Sequence, residues 1–198
     1  MAKKFLHVGC GPQNKSGLKG FSIAEWSEIR FDIDEKVSPD IVGTLTNMDR
    51  VESGSVDAIY SSHNIEHVYA HEVVGALREF RRVLKDDGFV VITCPDLQSV
   101  CRAVVEDKLL EPLYTSPAGP ISPIDILYGH RGLVAGGNTF MAHKCGFTYS
   151  ALNGAFREAG FLSGLGRRRP EFFDLWMVAF KGQTSETDMR LTASKFLP

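Results

Sequence analysis

The chain has 198 residues, of which 43% are hydrophobic and 23% charged, proportions that suit one soluble globular domain with a full core. Its formal net charge of −2 speaks against nucleic acid or an anionic membrane surface as the main partner. No apolar stretch is long enough to span a membrane. Cys10, Cys94, Cys101 and Cys145 are too scattered for a CxxC metal knuckle or a disulfide framework, as expected of reduced thiols in a cytoplasmic protein.

Lys3 and Lys4 precede an apolar run that His7, Gly9 and Gly11 cut too short for a signal peptide. Phe5, Leu6 and Val8 read instead as a short buried strand turning at Gly9-Cys10-Gly11. A strand that ends in Gly-x-Gly lets backbone pass close to a ligand, although a tight turn without a ligand has the same pattern. Residues 12–20 form a polar connector, and residues 21–26 allow at most a short helix before the next strand. Residues 28–34 alternate as a second strand and end in acid, with Asp32, Asp34 and Glu35. Residues 40–45 make a short third strand and residues 56–62 a fourth.

The period then becomes helical over residues 67–84, with Val73, Val74, Leu77, Phe80, Val83 and Leu84 on one stripe. Asp86-Asp87-Gly88 is the expected end of that helix, and residues 89–94 are hydrophobic enough for a central parallel strand. A helix is expected over residues 97–110. Residues 111–147 break the rhythm with four prolines and many glycines, yet hold Ile124, Ile126, Leu127, Tyr128 and Phe140. This composition is too apolar for a linker and reads as a lid or substrate-binding insertion. Residues 148–159 form a helix stopped at Gly160, and residues 161–168 and 172–181 two closing strands. Arg167-Arg168-Arg169 reads as a solvated turn rather than a phosphate patch. Residues 183–198 read as a polar tail. The expected architecture is an α/β, doubly wound, mostly parallel sheet closed by an antiparallel hairpin, in one domain over residues 1–182.

The chemistry is expected where the first two strands end. Gly9 and Gly11 are followed about twenty residues later by Asp32 and Asp34, the offset at which an acid reaches a ribose hydroxyl in nucleotide-binding α/β folds. Asn14 stands where a dinucleotide fingerprint wants its third glycine, so the pattern suits a nucleoside without phosphate, of which S-adenosylmethionine (SAM) is one.

Four segments carry a resemblance: Leu6-His7-Val8-Gly9-Cys10-Gly11-Pro12, Phe31-Asp32-Ile33-Asp34, Ser55-Val56-Asp57-Ala58-Ile59-Tyr60 and Leu84-Lys85-Asp86-Asp87-Gly88-Phe89. Together they resemble the successive motifs of class I SAM-dependent methyltransferases, of the small bacterial type, over about residues 4–110. The resemblance implies a seven-stranded, Rossmann-like sheet and SAM as cofactor. It implies cofactor contacts from His7, Gly9, Cys10, Gly11, Asp32, Asp34, Leu45, Ser62 and His63, with Asp32 on the ribose. Where the family often places an acid after strand three, this chain has Thr44-Leu45, leaving adenine to backbone or Leu45. The acceptor pocket is then expected from the insertion or from a second subunit. The insertion mixes aromatic, apolar and histidine residues without a charge bias, which suits a small-molecule or sugar-like acceptor better than nucleic acid.

A hydroxyl or ammonium acceptor needs a base, and histidine is the side chain tuned for it. His63, just after strand four, is the first candidate; His130 and His143 in the insertion are the second pair, with Tyr128 to orient the acceptor. Each also reads as a surface or structural histidine. Two rival readings follow from the same residues. His63-Asn64-Ile65-Glu66-His67 matches the HxxEH pattern of a zinc hydrolase, with His63 and His67 as ligands, Glu66 as base and Glu72 as the nearest further acid. That pattern needs a helix, whereas His63 follows a strand. The other rival is a SAM-binding protein of the same fold without catalysis.

Overall fold

The computed structural model describes residues 2–198. Its centre is a seven-stranded sheet of order β3-β2-β1-β4-β5-β9-β8. The strands are β1 (Lys3–Val8), β2 (Trp26–Asp32), β3 (Ile41–Val42), β4 (Val56–Ser62), β5 (Leu84–Pro95), β8 (Ser163–Arg169) and β9 (Asp174–Phe180). β1 to β5 pair in parallel, and β9 runs antiparallel to both β5 and β8. This is the doubly wound, Rossmann-like sheet with a closing hairpin that the alternation of strands and helices implies. The chain order reverses between β1 and β4, so the crevice beyond their carboxyl ends is the switch point where such sheets bind ligands.

One face of the sheet is covered by α1 (Val73–Val83) and α5 (Tyr149–Glu158). Val73, Ala76, Leu77, Phe80 and Val83 of α1 are all buried, at the three- and four-residue spacing that lines one side of a helix. They meet Leu6, Val8, Ile59 and Ile92 in the main core. The expected end of α1 moves. The helix stops at Val83 and Leu84 already pairs with Val56, while Ala58 pairs with Phe89. Residues 85–88 therefore bulge out of β5 opposite Asp57, whose carboxylate takes the Lys85 ammonium at 2.7 Å. Asp86-Asp87-Gly88 is a bulge inside a strand rather than a helix stop.

The other face is built differently. Among the described residues no α-helix lies between β1 and β2. Phe21 and Trp26 fill the space, Phe21 stacked on Phe5 and tilted against Phe196, and Trp26 edge-on to both. Phe196 belongs to α6 (Glu186–Phe196), where a polar tail is expected from composition. Only Ala193 and Phe196 of that helix are buried, so its apolar signal is weak. It is held because Phe196 and Leu197 close the aromatic cluster left open by the missing first helix. Gly20, at φ +80, lets the chain pass under Phe196, where a Cβ would come within 2.5 Å of the ring.

The 111–147 insertion holds more regular structure than its prolines suggest. A two-stranded hairpin, β6 (Tyr114–Ser116) with β7 (Gly119–Ile121), leads into α3 (Pro123–Tyr128) and α4 (Arg131–Ala135). Ile121 and Ile126 pack on Val100 of α2 (Leu97–Val105), which ends five residues short of the expected span. Asp125 ties the segment together by accepting from Ser122 N at 3.0 Å and from the Arg131 guanidinium at 2.7 Å. Partial burial pushes that carboxyl up, but Arg131 and the amides outweigh it and hold its pKa at about 2. The arginine run also departs from expectation. It lies on β8, with Arg168 donating to buried Asp96 at 2.7 Å and Arg169 paired with Asp174. No helix among the described residues is long and apolar enough to cross a membrane.

Candidate active site at the sheet switch point

The glycine turn closes on β2. Gly9 N donates to Phe31 O at 2.8 Å, and Gly11 N to Asp32 Oδ2 at 2.8 Å. Gly9 and Gly11 sit at φ +63 and +51, a region that only glycine enters without strain. Their surroundings differ. A Cβ on Gly11 would meet nothing within 4 Å, whereas one on Gly9 would fall 1.8 Å from Asn64 Oδ1. The close approach at Gly9 is therefore made by Asn64, and Gly11 is the glycine of the pair with open space on its Cβ side. Asn64 Nδ2 donates to Val8 O at 3.0 Å and Ser62 O at 2.8 Å, bridging β1 and β4 across the switch point.

Asp32 is buried, and its other oxygen accepts from Asp34 N at 2.9 Å. The carboxylate thus shapes both turns, and each oxygen keeps a second lone pair. Arg30 fastens the same corner by donating to Gly11 O and, at 2.7 Å, to Ser38 O. Asp34 faces a cavity of about 540 Å³, whose lining includes Ile33, Val42, Gly136, Gly137 and Phe140. The insertion thus forms one wall of the cavity and the acidic end of β2 the other.

The remaining expected contacts divide. His7 is buried with Nδ1 2.7 Å from Glu28 Oε1. Burial lowers its pKa against the opposing pull of Glu28. Its ring packs edge-on to Tyr60 of the aromatic cluster. Cys10 is buried, which pushes its thiol up to about 11. Leu45 packs on the main core. Ser62 contributes its carbonyl to Asn64.

Among the catalytic candidates, His63 and His143 converge and His130 does not. His130 caps α4, its Nδ1 accepting from Leu133 N at 3.2 Å. His63 follows β4 in the left-handed region, φ +52, with its amide donating to Thr93 O at 2.9 Å. A 3-10 turn, Ile65–His67, comes next. The HxxEH residues therefore do not share one face of an α-helix, and the zinc-hydrolase scaffold is not formed. His63 is 49% exposed, and its Nδ1 lies 3.3 Å from Oε1 of Glu66, whose side chain is 1% exposed.

Burial would push the Glu66 carboxyl up, but His63, His67 and His143 around it pull it below its ordinary value. In return His63 is raised, the Glu66 carboxylate overcoming the desolvation of its ring. His143 is lowered by burial, with Glu66 opposing. Glu66, His67 and His143 offer ligand atoms that all lie within 4.8 Å of one another. Local sequence does not bring His143 to Glu66. The contact comes from backbone pairing, with Lys144 N donating to Glu66 O at 2.8 Å.

Residues 6–92 match the family model of a methyltransferase domain. Sequence comparison with characterised proteins finds no match. A SAM-dependent methyltransferase of Thermotoga maritima superposes with a TM-score of 0.57 at 15% identity, over 91% of this chain and 83% of that one. The PH0226 protein of Pyrococcus horikoshii does so with 0.59 at 14%, over 91% and 82%. A Burkholderia thailandensis N1-methyltransferase, solved with 1,6-didemethyltoxoflavin and S-adenosylhomocysteine, gives 0.56 at 14%, over 92% and 72%. Residues 6–92, a little under half of the chain, thus match a methyltransferase domain, and the sheet that carries them has the fold of these solved methyltransferases.

Proposed function

We propose that the protein transfers a methyl group from SAM to a small-molecule acceptor bound beneath the 111–147 insertion. The observation that carries this reading is the junction of Gly11 with Asp32 at the switch point, next to the cavity beside Asp34. The residues fit the cofactor. Gly11 leaves its Cβ side open, and Asp32 and Asp34 offer acceptors for ribose hydroxyls. Val42 and Phe140 offer apolar surface to a base. When bound, SAM supplies a methyl group already activated by its sulfonium.

The protein's share is alignment and exclusion of water. His63 stands at the end of β4, half-exposed and steadied by buried Glu66. It is the side chain placed to take a proton from an acceptor hydroxyl or ammonium, with Glu66 as its positioning partner. His143 reaches Glu66 from the insertion, whereas His130 supports α4.

Calorimetric titration with S-adenosylhomocysteine tests the cofactor part: binding is expected for the intact protein and is lost in Asp32→Ala. Absence of binding by the intact, folded protein contradicts the reading. Once an acceptor is found, His63→Ala is expected to keep cofactor affinity and lose about 100-fold in kcat. Unchanged kcat removes His63 from the role.

A further inference from the structure

Glu66 is a buried carboxylate whose two oxygens make no hydrogen bond of good geometry among the described residues. A charged group in that position is costly unless something compensates it. The imidazoles around it are already oriented. His67 Nδ1 is 3.0 Å from Ala142 O, and His143 Nδ1 is 2.7 Å from Ile126 O. Each ring therefore spends its Nδ1 proton on a backbone carbonyl and keeps the Nε2 lone pair free, the outer arrangement that metal-binding histidines use. Their rings meet edge-on with centroids 4.8 Å apart.

We infer that Glu66, His67 and His143 form a binding site for a divalent transition-metal ion of the zinc class. Two imidazoles and one carboxylate suit zinc and its neighbours, and are poor for magnesium or calcium, which want oxygen donors. Ligands about 2.1 Å from a tetrahedral ion lie about 3.4 Å apart. The three donors, all within 4.8 Å of one another, need only a small contraction. Three protein ligands leave a fourth position open. This site differs from the HxxEH arrangement. Glu66 is a ligand rather than a base, and the third ligand comes from the insertion.

The ion would do two things. It would compensate the Glu66 charge, and it would clasp the far end of the insertion to the turn after β4. One carboxylate oxygen can ligate while the other stays beside His63. A metal there can also hold an acceptor oxygen in its open position, a consequence that, unlike ion binding itself, rests on the methyl-transfer reading.

The test is zinc loading of the untagged full-length protein, desalting and elemental analysis, with thermal melts in parallel. About one zinc per chain is expected, with a rise of about 5 °C in Tm. Both are lost in Glu66→Gln and in His143→Ala and kept in His71→Ala, a surface histidine. Magnesium is expected to produce neither. Less than about 0.2 zinc per chain in the folded wild type overturns the inference, even where a variant fails to fold. So does wild-type zinc content in folded Glu66→Gln and His143→Ala. None of these readouts involves SAM or methyl transfer, so their failure is separate from failure of the proposed function.

Discussion

Two regions meet at the switch point, and they are assembled in different ways. The glycine corner is local in design: a strand, a Gly-x-Gly turn, and an acid on the neighbouring parallel strand that caps the turn. The histidine corner is assembled across the chain, with Glu66 and His67 after β4 and His143 from the insertion, joined by backbone pairing between residues 144 and 66. The first is held by backbone amides around a single carboxylate. The second gathers imidazoles around a buried anion. Asn64 belongs to both, since it covers Gly9 while opening the turn that carries Glu66. The glycine corner thus depends on the histidine corner for its shape, although it is built from its own short stretches of sequence.

The variant that should damage both corners most is Gly9→Ala. Its methyl group would overlap Asn64 at a φ of +63. A loss of about 3 kcal/mol in unfolding free energy is expected by urea denaturation, with cofactor affinity lost as well. In an Asn64→Ala background the same substitution is expected to cost clearly less. Equal costs in both backgrounds would show that the two corners do not touch energetically.

Asp32→Ala comes next. It strips the acceptors from Gly11 N and Asp34 N, and a stability loss of about 2 kcal/mol is expected. Zinc binding at Glu66 should be untouched, because the defect stays on the glycine side.

A smaller effect is expected within the insertion. Asp125→Asn weakens the clasp with Arg131 and Ser122 and should lower Tm by about 3 °C at neutral pH. The Asp125 pKa, held at about 2 in the folded chain, lies below the unfolded value. Its stabilisation is therefore present above about pH 4 and is lost as pH falls through about 2. The Tm difference between wild type and Asp125→Asn should accordingly persist at pH 5 and shrink towards pH 2.

The smallest expected effect is at His7. Its folded pKa lies below the ordinary histidine value of 6.5, so the unfolded chain takes up a proton first as pH falls. Stability is then full above about pH 6.5 and declines below it. His7→Gln keeps a donor to Glu28 and cannot titrate in this range. The drop in Tm between pH 7 and 5.5 should shrink by about 3 °C. An unchanged slope would place the acid sensitivity elsewhere.

The same contrast explains what could be read before the structure was known. β1 and β4 are legible because buried residues run without interruption into glycine or into the turn after Ser62. Their parallel pairing makes the Gly11–Asp32 junction follow from position alone. β2 begins two residues earlier than the alternation suggests, because Trp26 pairs with Lys3 and packs into the aromatic cluster.

Other features needed three dimensions. Phe196 anchors a helix whose sequence is mostly polar, and its partner Phe21 is far away in the chain. The arginine run becomes a pair of ion bridges because Asp96 and Asp174 lie at the edges of β5 and β9 beside β8. Glu66 and His143 carry no common motif, and only the fold reveals their meeting. Asn64 had one available signal: a glycine with no Cβ, at the end of β1, facing whatever follows β4.

The most direct measurement is a crystal structure of the protein with S-adenosylhomocysteine. The account predicts the ribose hydroxyls on Asp32 or Asp34, the adenine in the cavity lined by Val42 and Phe140, and the sulfur between Gly11 and His63. A ligand bound elsewhere, or one that leaves the Gly11–Asp32 junction untouched and distant, would contradict it.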